Sequence, residues 1–207
     1  LGRVLSAIHE RGVVHRGLQP TNIVMDSADQ AWLLDLGVST PNSVIKGTEN
    51  PKQFREAVQY QAPEMAGMLQ CPVDHRSDLY SLGVVLYHAA SGQLPFESEK
   101  LSDLVQMHAS GSARPLRELN RGISVGFAQM INPLLSKDPE ERYQSASAFL
   151  ADLQRLDDIN SVLLDVGERE ESSLGGGVLC RKPPAWGRPT NFLFVGRDLE
   201  LTRLACS

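Results

Sequence analysis

The side chains best equipped for chemistry lie near the start of the chain. His15, Arg16, Gln19 and Asn22 fall within eight positions, and Asp35 follows thirteen residues after Asn22. Asn22 and Asp35 are hard oxygen donors of the kind that bind a divalent cation. Ile23-Val24-Met25 and Ala31-Trp32-Leu33-Leu34 read as two short apolar strands, joined by the polar turn Asp26-Ser27-Ala28-Asp29-Gln30. A hairpin over 23–34 carries Asn22 and Asp35 to one edge of a sheet, where both can reach a single cation. Proton transfer is less well provided for, because no acid and no base occurs from Gly17 to Asn22.

The octapeptide His15-Arg16-Gly17-Leu18-Gln19-Pro20-Thr21-Asn22 resembles the protein kinase catalytic loop H-R-D-x-x-x-x-N. Four further motifs follow in the family's order. Asp35-Leu36-Gly37 resembles D-F-G, and Ala62-Pro63-Glu64 matches A-P-E. The run from Asp74 to Tyr87 resembles D-x-x-S-D-x-W-S-L-G-x-x-L-Y, with Tyr80 for the Trp. Asp138-Pro139-Glu140-Glu141-Arg142-Tyr143 is similar to the late D-P-x-x-R signature. Each is weak alone; together, in order, they point to the C-terminal lobe of a eukaryotic-type Ser/Thr protein kinase over residues 1–157.

The resemblance implies an α+β, protein kinase-like fold, a mainly helical C-lobe with one short β-hairpin and the N-lobe absent. It places Gly17 where the catalytic Asp belongs and Gln19 where the lysine belongs. It assigns Asn22 and Asp35 to Mg-ATP, bound weakly or not at all, and gives His15, Arg16 and Gly37 structural roles. Glu64 and Arg142 are expected to form a buried ion pair. Asp78 is expected to bond the backbone of the catalytic loop, with a simple helix cap by Ser77 or Asp78 as the other reading. Ser39, Thr40, Ser43 and Thr48 are candidate phosphorylation sites or ordinary polar loop residues. His9, His75, His88 and His108 show no shared ligand spacing.

Hydrophobic periodicity supplies the elements that must position these residues. Leu1, Val4, Leu5 and Ile8 make a helical stripe, ended by Gly12. No G-x-G-x-x-G or upstream strand lysine occurs, so the chain opens inside a domain. Residues 38–61 read as a long loop in the place of an activation segment. Residues 77–91 carry apolar side chains around most of the circumference and predict a buried helix. Shorter helices are expected over 99–109, 124–136 with Pro133 marking a bend, and 145–157 with Ser145 as cap.

Composition narrows the function classes. A net charge of -5 and 6% aromatics argue against nucleic acid or an anionic membrane as partner. Three scattered cysteines give no disulfide frame or metal spacing and suit a reducing compartment, here the cytoplasm. Residues 158–190 have linker composition. Residues 191–207 contain Phe194-Val195-Gly196-Arg197-Asp198-Leu199-Glu200-Leu201, which resembles the opening of an AAA/STAND-type ATPase module. The parent then resembles a large kinase–ATPase–sensor signalling protein, whose partners are proteins or its own signalling domains; the oligomeric state is open. The expected function is a pseudokinase regulatory or binding module. The alternatives are ATP-dependent Ser/Thr phosphorylation in a full-length parent, or a non-functional gene fragment.

Overall fold

The computed structural model describes residues 1–27, 30–36, 51–67, 69 and 71–156, the side chains of 51–54 excepted. Helix α1 (Gly2–His9) buries Leu5 and Ile8, the inward part of its stripe. The chain turns away at Gly12, whose φ of 73° suits a residue without Cβ. Strands β1 (Ile23–Met25) and β2 (Ala31–Leu33) then pair antiparallel, with Ile23 opposite Leu33, Val24 opposite Trp32 and Met25 opposite Ala31. Asp26 pins this register: its carboxylate accepts the Gln30 N–H at 2.9 Å and the Trp32 indole N–H at 2.9 Å.

The loop expected over 38–61 is corrected at its end, where helix α2 (Pro51–Val58) forms. Pro51 signals a break only in a helix interior; in the first turn its missing N–H leaves nothing unsatisfied. Val58 is buried from this helix, and Tyr60 just beyond it.

Helix α3 (His75–Ser91) is the centre of the fold. Leu79, Tyr80, Leu82 and Val84 are 0–1% exposed, and each contributes roughly 1.5–3 kcal/mol by burial. The cap is neither Ser77 nor Asp78. Asp74 occupies that position and accepts the Arg76 N–H at 2.8 Å, which starts the helix two residues early. Ser77 and Asp78 are buried and bonded elsewhere. The last turns are less enclosed, with Ala89 exposed, and Gly92 closes the helix in the left-handed region.

Around α3 stand α4 (Leu101–Ser110), α5 (Leu116–Leu119) and α6 (Val125–Leu134), and a final helix α7 spans 146–156. Ser124 and Ser145 cap α6 and α7, accepting the N–H groups of Phe127 and Ala148. Pro133 lies within the last turn of α6. Gly83 lets α3 and α6 approach closely, since a Cβ there would stand 2.6 Å from Leu134 Cβ. Among the described residues no helix is long and apolar enough to cross a membrane.

Candidate functional site

The loop after α1 is fastened from below by one carboxylate. Asp78, 1% exposed in α3, accepts the backbone N–H of His15 at 2.8 Å and of Arg16 at 2.7 Å. Its Oδ2 also lies 2.9 Å from His9 Nε2. Asp78 sits one turn into the helix, where the positive end of the helix dipole favours a negative charge. Arg16 has φ 63°, an unfavourable region for a side-chain-bearing residue. The two N–H bonds to Asp78 hold it there.

His15 fastens the loop from above. It is fully buried, and its Nδ1 accepts the Gly17 N–H at 3.2 Å. That bond leaves the proton on Nε2, which donates to the Leu34 carbonyl at 2.9 Å. Leu34 immediately precedes Asp35, so His15 ties the 15–22 loop to the second strand.

Asn22 closes the loop. Its Nδ2 donates to the Gly17 carbonyl at 2.8 Å, while its own carbonyl accepts the Leu34 N–H at 2.8 Å. The second bond continues the β1–β2 ladder by one step, so Asn22 and Asp35 leave the sheet at the same end. Asp35 is exposed with φ 60°, the second non-glycine residue in the left-handed region. With Nδ2 spent on Gly17, Asn22 keeps Oδ1 as an acceptor. No third Asp, Glu, His or Cys joins these two among the described residues. Two oxygen donors are too few for a structural cation. They suit Mg²⁺, which retains waters and takes its other ligands from phosphates.

A cavity of about 60 Å³ adjoins Gly17 and Gln19. Arg16, Gln19, Tyr60, Gln61 and Ser81 supply its polar groups, Leu18 and Ala57 its apolar wall, and among the described residues no carboxylate lines it. Burial and the nearby Glu56 push the Tyr60 phenol up to about 12, so it cannot serve as a base near neutrality. Its hydroxyl is 2.8 Å from His88 Nδ1. Ala57, Tyr60, Gln61 and Ser81 escaped the sequence reading. Three of them sit just before Ala62-Pro63-Glu64, in the stretch read as loop, and only tertiary contact brings them to Gly17.

Glu64 and Arg142 meet 78 positions apart, by two bonds of 2.6 and 2.9 Å, with side chains 1% and 0% exposed. Ser77 Oγ also donates to Glu64 at 2.7 Å. Arg142 spends its remaining donors on the carbonyls of Ser136, Arg76 and Lys137. Burial alone would raise the Glu64 carboxyl; the Arg142 bonds and charge and the Ser77 hydroxyl outweigh it and hold it below its ordinary value. Every polar atom of this pair is therefore matched, the condition under which a buried ion pair is tolerated.

The model of the protein kinase domain matches residues 1–152. The chain belongs to the protein kinase family. It is 33% identical over 156 residues to a probable serine/threonine-protein kinase of Clostridium acetobutylicum, covering 75% of this chain and 23% of that protein. It is 31% identical over 154 residues to the serine/threonine-protein kinase PknB of Mycobacterium leprae, covering 74% and 24%. With the serine/threonine-protein kinase pkn3 of Myxococcus xanthus it shares 35% over 172 residues, covering 76% and 30%. The chain thus spans less than a third of the length of these curated relatives. Gly37, the hydroxyl residues Ser39, Thr40, Ser43 and Thr48, and the stretches expected as linker and ATPase opening lie outside the described residues.

Proposed function

We propose that this kinase-family chain is a pseudokinase module of a multidomain signalling protein, which binds protein partners or neighbouring signalling domains rather than transferring phosphate. The observation that carries the reading is the loop at Gly17. It is built and fastened, with His15, Arg16 and Asn22 all engaged, yet among the described residues no carboxylate lines the cavity beside it. Loss of a general base costs about 10²–10⁴-fold in rate. Gln19 offers no cation to offset charge on a transferring phosphoryl group, the electrostatic contribution on which this reaction depends.

Asn22 and Asp35 would hold Mg²⁺ with the phosphates of ATP, and the metal would supply charge neutralisation there. The chain's own part is to fix the Asn22 amide through Gly17 and to present the Asp35 carboxylate to solvent. The 207 residues contain no glycine-rich phosphate loop to cover a nucleotide, so binding by this chain is expected to be weak. Partner docking falls to the lobe surface, with the ATPase-like opening at 191–207 and a cytoplasmic setting as parts of the same proposal.

Phosphorylation by a longer parent is the second reading. It is favoured by two observations: the donor pair Asn22 and Asp35 is kept, and the relatives named above are serine/threonine-protein kinases. The test is phosphotransfer from labelled ATP with Mg²⁺ to a generic protein substrate. No signal above an Asp35→Ala control is expected. Robust labelling that Asp35→Ala abolishes would overturn the pseudokinase reading.

A further inference from the structure

The cavity beside Gly17 has a fixed positive charge in its wall and no counter-charge among the described residues. Arg16 lines it, and a guanidinium stays protonated at any ordinary pH. Its Nε is buried and has no hydrogen-bond partner among the described residues. None of the ion pairs there includes Arg16. The Asp78 carboxylate, which accepts the Arg16 backbone N–H, is also taken up by the His15 N–H and by His9.

The other free groups of the wall can also donate. Gln19 and Gln61 bring side-chain amides that make no protein hydrogen bond among the described residues. The two hydroxyls are already engaged: Ser81 Oγ donates to the Ser77 carbonyl at 3.2 Å, and Tyr60 Oη lies 2.8 Å from His88 Nδ1. Gly17, Gln19 and Gln61 are half-buried, so the cavity is reached from solvent. Its volume of about 60 Å³ takes a group of a few heavy atoms, since a single water needs roughly 10–15 Å³.

We propose that the Gly17 cavity binds one carboxylate group, supplied by an acidic side chain of another protein or by a small free acid. Its two oxygens take a charge-assisted bond from the Arg16 guanidinium and N–H groups from the Gln19 and Gln61 amides. One cation balances a monoanion, whereas a phosphate dianion is left with an uncompensated charge. A cationic or apolar group leaves the buried Arg16 Nε without an acceptor, which is costly. With glycine at position 17, the chain brings no carboxylate of its own to this place. The inference rests on the binding-module reading of the loop, because in a phosphotransfer enzyme the same space admits an acceptor hydroxyl.

The isotope-labelled full chain is titrated with sodium acetate in place of sodium chloride at constant ionic strength. NMR follows the Gly17 N–H, the Arg16 Nε–H and the side-chain amides of Gln19 and Gln61. Acetate is expected to shift these signals together, with a midpoint of the order of ~10 mM, the range open to so small a ligand. Acetamide, the neutral isostere, should leave them in place. A short peptide with a central Asp, set against its Asn counterpart, separates the sources. Tighter binding than acetate assigns the site to a protein side chain, and equal or weaker binding assigns it to a small acid; either upholds the proposal. Arg16→Gln should weaken acetate binding by about tenfold or more, and Gly17→Asp, which brings a carboxylate from the chain itself, should abolish it. Shifts that do not saturate by roughly 200 mM, an equal response to acetamide, tighter binding of inorganic phosphate, or acetate binding that survives Gly17→Asp overturns the proposal. Failure of the binding-module reading shows instead as phosphotransfer in the labelled-ATP assay, so the two failures are told apart.

Discussion

Asp78 holds Arg16 in the left-handed region of backbone space. The carboxylate Oδ1 accepts the Arg16 N–H at 2.7 Å across 62 positions of sequence, and φ at Arg16 is 63°. Oδ2 takes the neighbouring His15 N–H. In Asp78→Asn one of these acceptors becomes an amide that faces an N–H. A bond to a charged acceptor is worth about 1.5–3 kcal/mol, and the substitution is expected to cost about 3 kcal/mol. Urea titration of both proteins measures this, and an unchanged midpoint would contradict it.

Arg142→Ala strands Glu64 in the interior and is expected to cost about 3–5 kcal/mol. Arg155 provides the contrast. Its pair with Asp152 is 76% and 41% exposed, so Arg155→Ala should change stability by less than about 0.5 kcal/mol. Equal effects of the two substitutions on the denaturation midpoint would remove the claim that the buried pair braces the lobe.

How much of this was legible follows the range of each interaction. The β1–β2 hairpin rests on adjacent residues, and the polar turn between two apolar runs gives it away. Helix α3 shows in its composition, because a helix enclosed on all sides must be apolar around its circumference. The start of α3 did not show: Asp74, Ser77 and Asp78 are equally good caps, and only the tertiary bonds of Ser77 to Glu64 and of Asp78 to the loop free Asp74 for that position. Helix α2 was hidden by Pro51, which reads as a breaker unless the helix begins there. The meeting of Glu64 with Arg142 has no local signature and could be expected only from family resemblance. The Tyr60, Gln61 and Ser81 wall of the cavity beside Gly17 had no signal at all.

Asp35 separates binding from stability. Its carboxylate is exposed, so Asp35→Ala loses no buried contact and should lower stability only by the strain of an alanine at φ 60°, about 1 kcal/mol. Any Mg²⁺-dependent thermal shift by ATP should vanish in the same variant, because only Asn22 would remain as a metal ligand. Calorimetric titration with Mg-ATP is the check, and equal heats for both proteins would place the nucleotide elsewhere.

His108 sets the acid limb of stability. It is 2% exposed, and burial with the nearby Lys137 charge lowers its imidazole to about 4. An unfolded His titrates near ~6.5, so between these values the unfolded chain binds more protons and folding weakens as pH falls. The contribution is intact above about pH 6.5 and declines by about 3 kcal/mol as pH drops to ~4. Glu64 acts lower still: its depressed carboxyl stabilises above the ordinary Glu value near ~4.3, and that stabilisation is lost as pH falls through its folded value. His108→Gln keeps an acceptor for Tyr80 and cannot titrate. It should flatten the curve of melting temperature between about pH 6.5 and 5 while leaving the drop below ~4.3 in place. A wild-type curve already flat in the upper window would contradict the assignment.

Gly17→Asp tests the proposed pseudokinase reading at the position it rests on. The backbone at Gly17 is already bonded through its N–H to His15 and its carbonyl to Asn22, and neither bond involves a side chain at position 17. The adjoining cavity of about 60 Å³ gives an added carboxymethyl group room. The double variant Gly17→Asp with Gln19→Lys is therefore expected to fold with a melting temperature close to that of the parent chain. It should still transfer no phosphate, because holding the nucleotide in line with an acceptor hydroxyl accounts for several kcal/mol of such a barrier, of the order of ~7–11, and the sequence holds no glycine-rich phosphate-loop motif to cover the nucleotide. Grafting the same double variant onto a complete kinase N-lobe supplies that positioning, and activity should then rise by about 10²-fold or more over the Gly17 graft. Activity in the short double variant would show that the loop alone was limiting. Silence in the grafted one would show that the cavity beside position 17, with Ala57, Tyr60 and Gln61, no longer admits an acceptor hydroxyl.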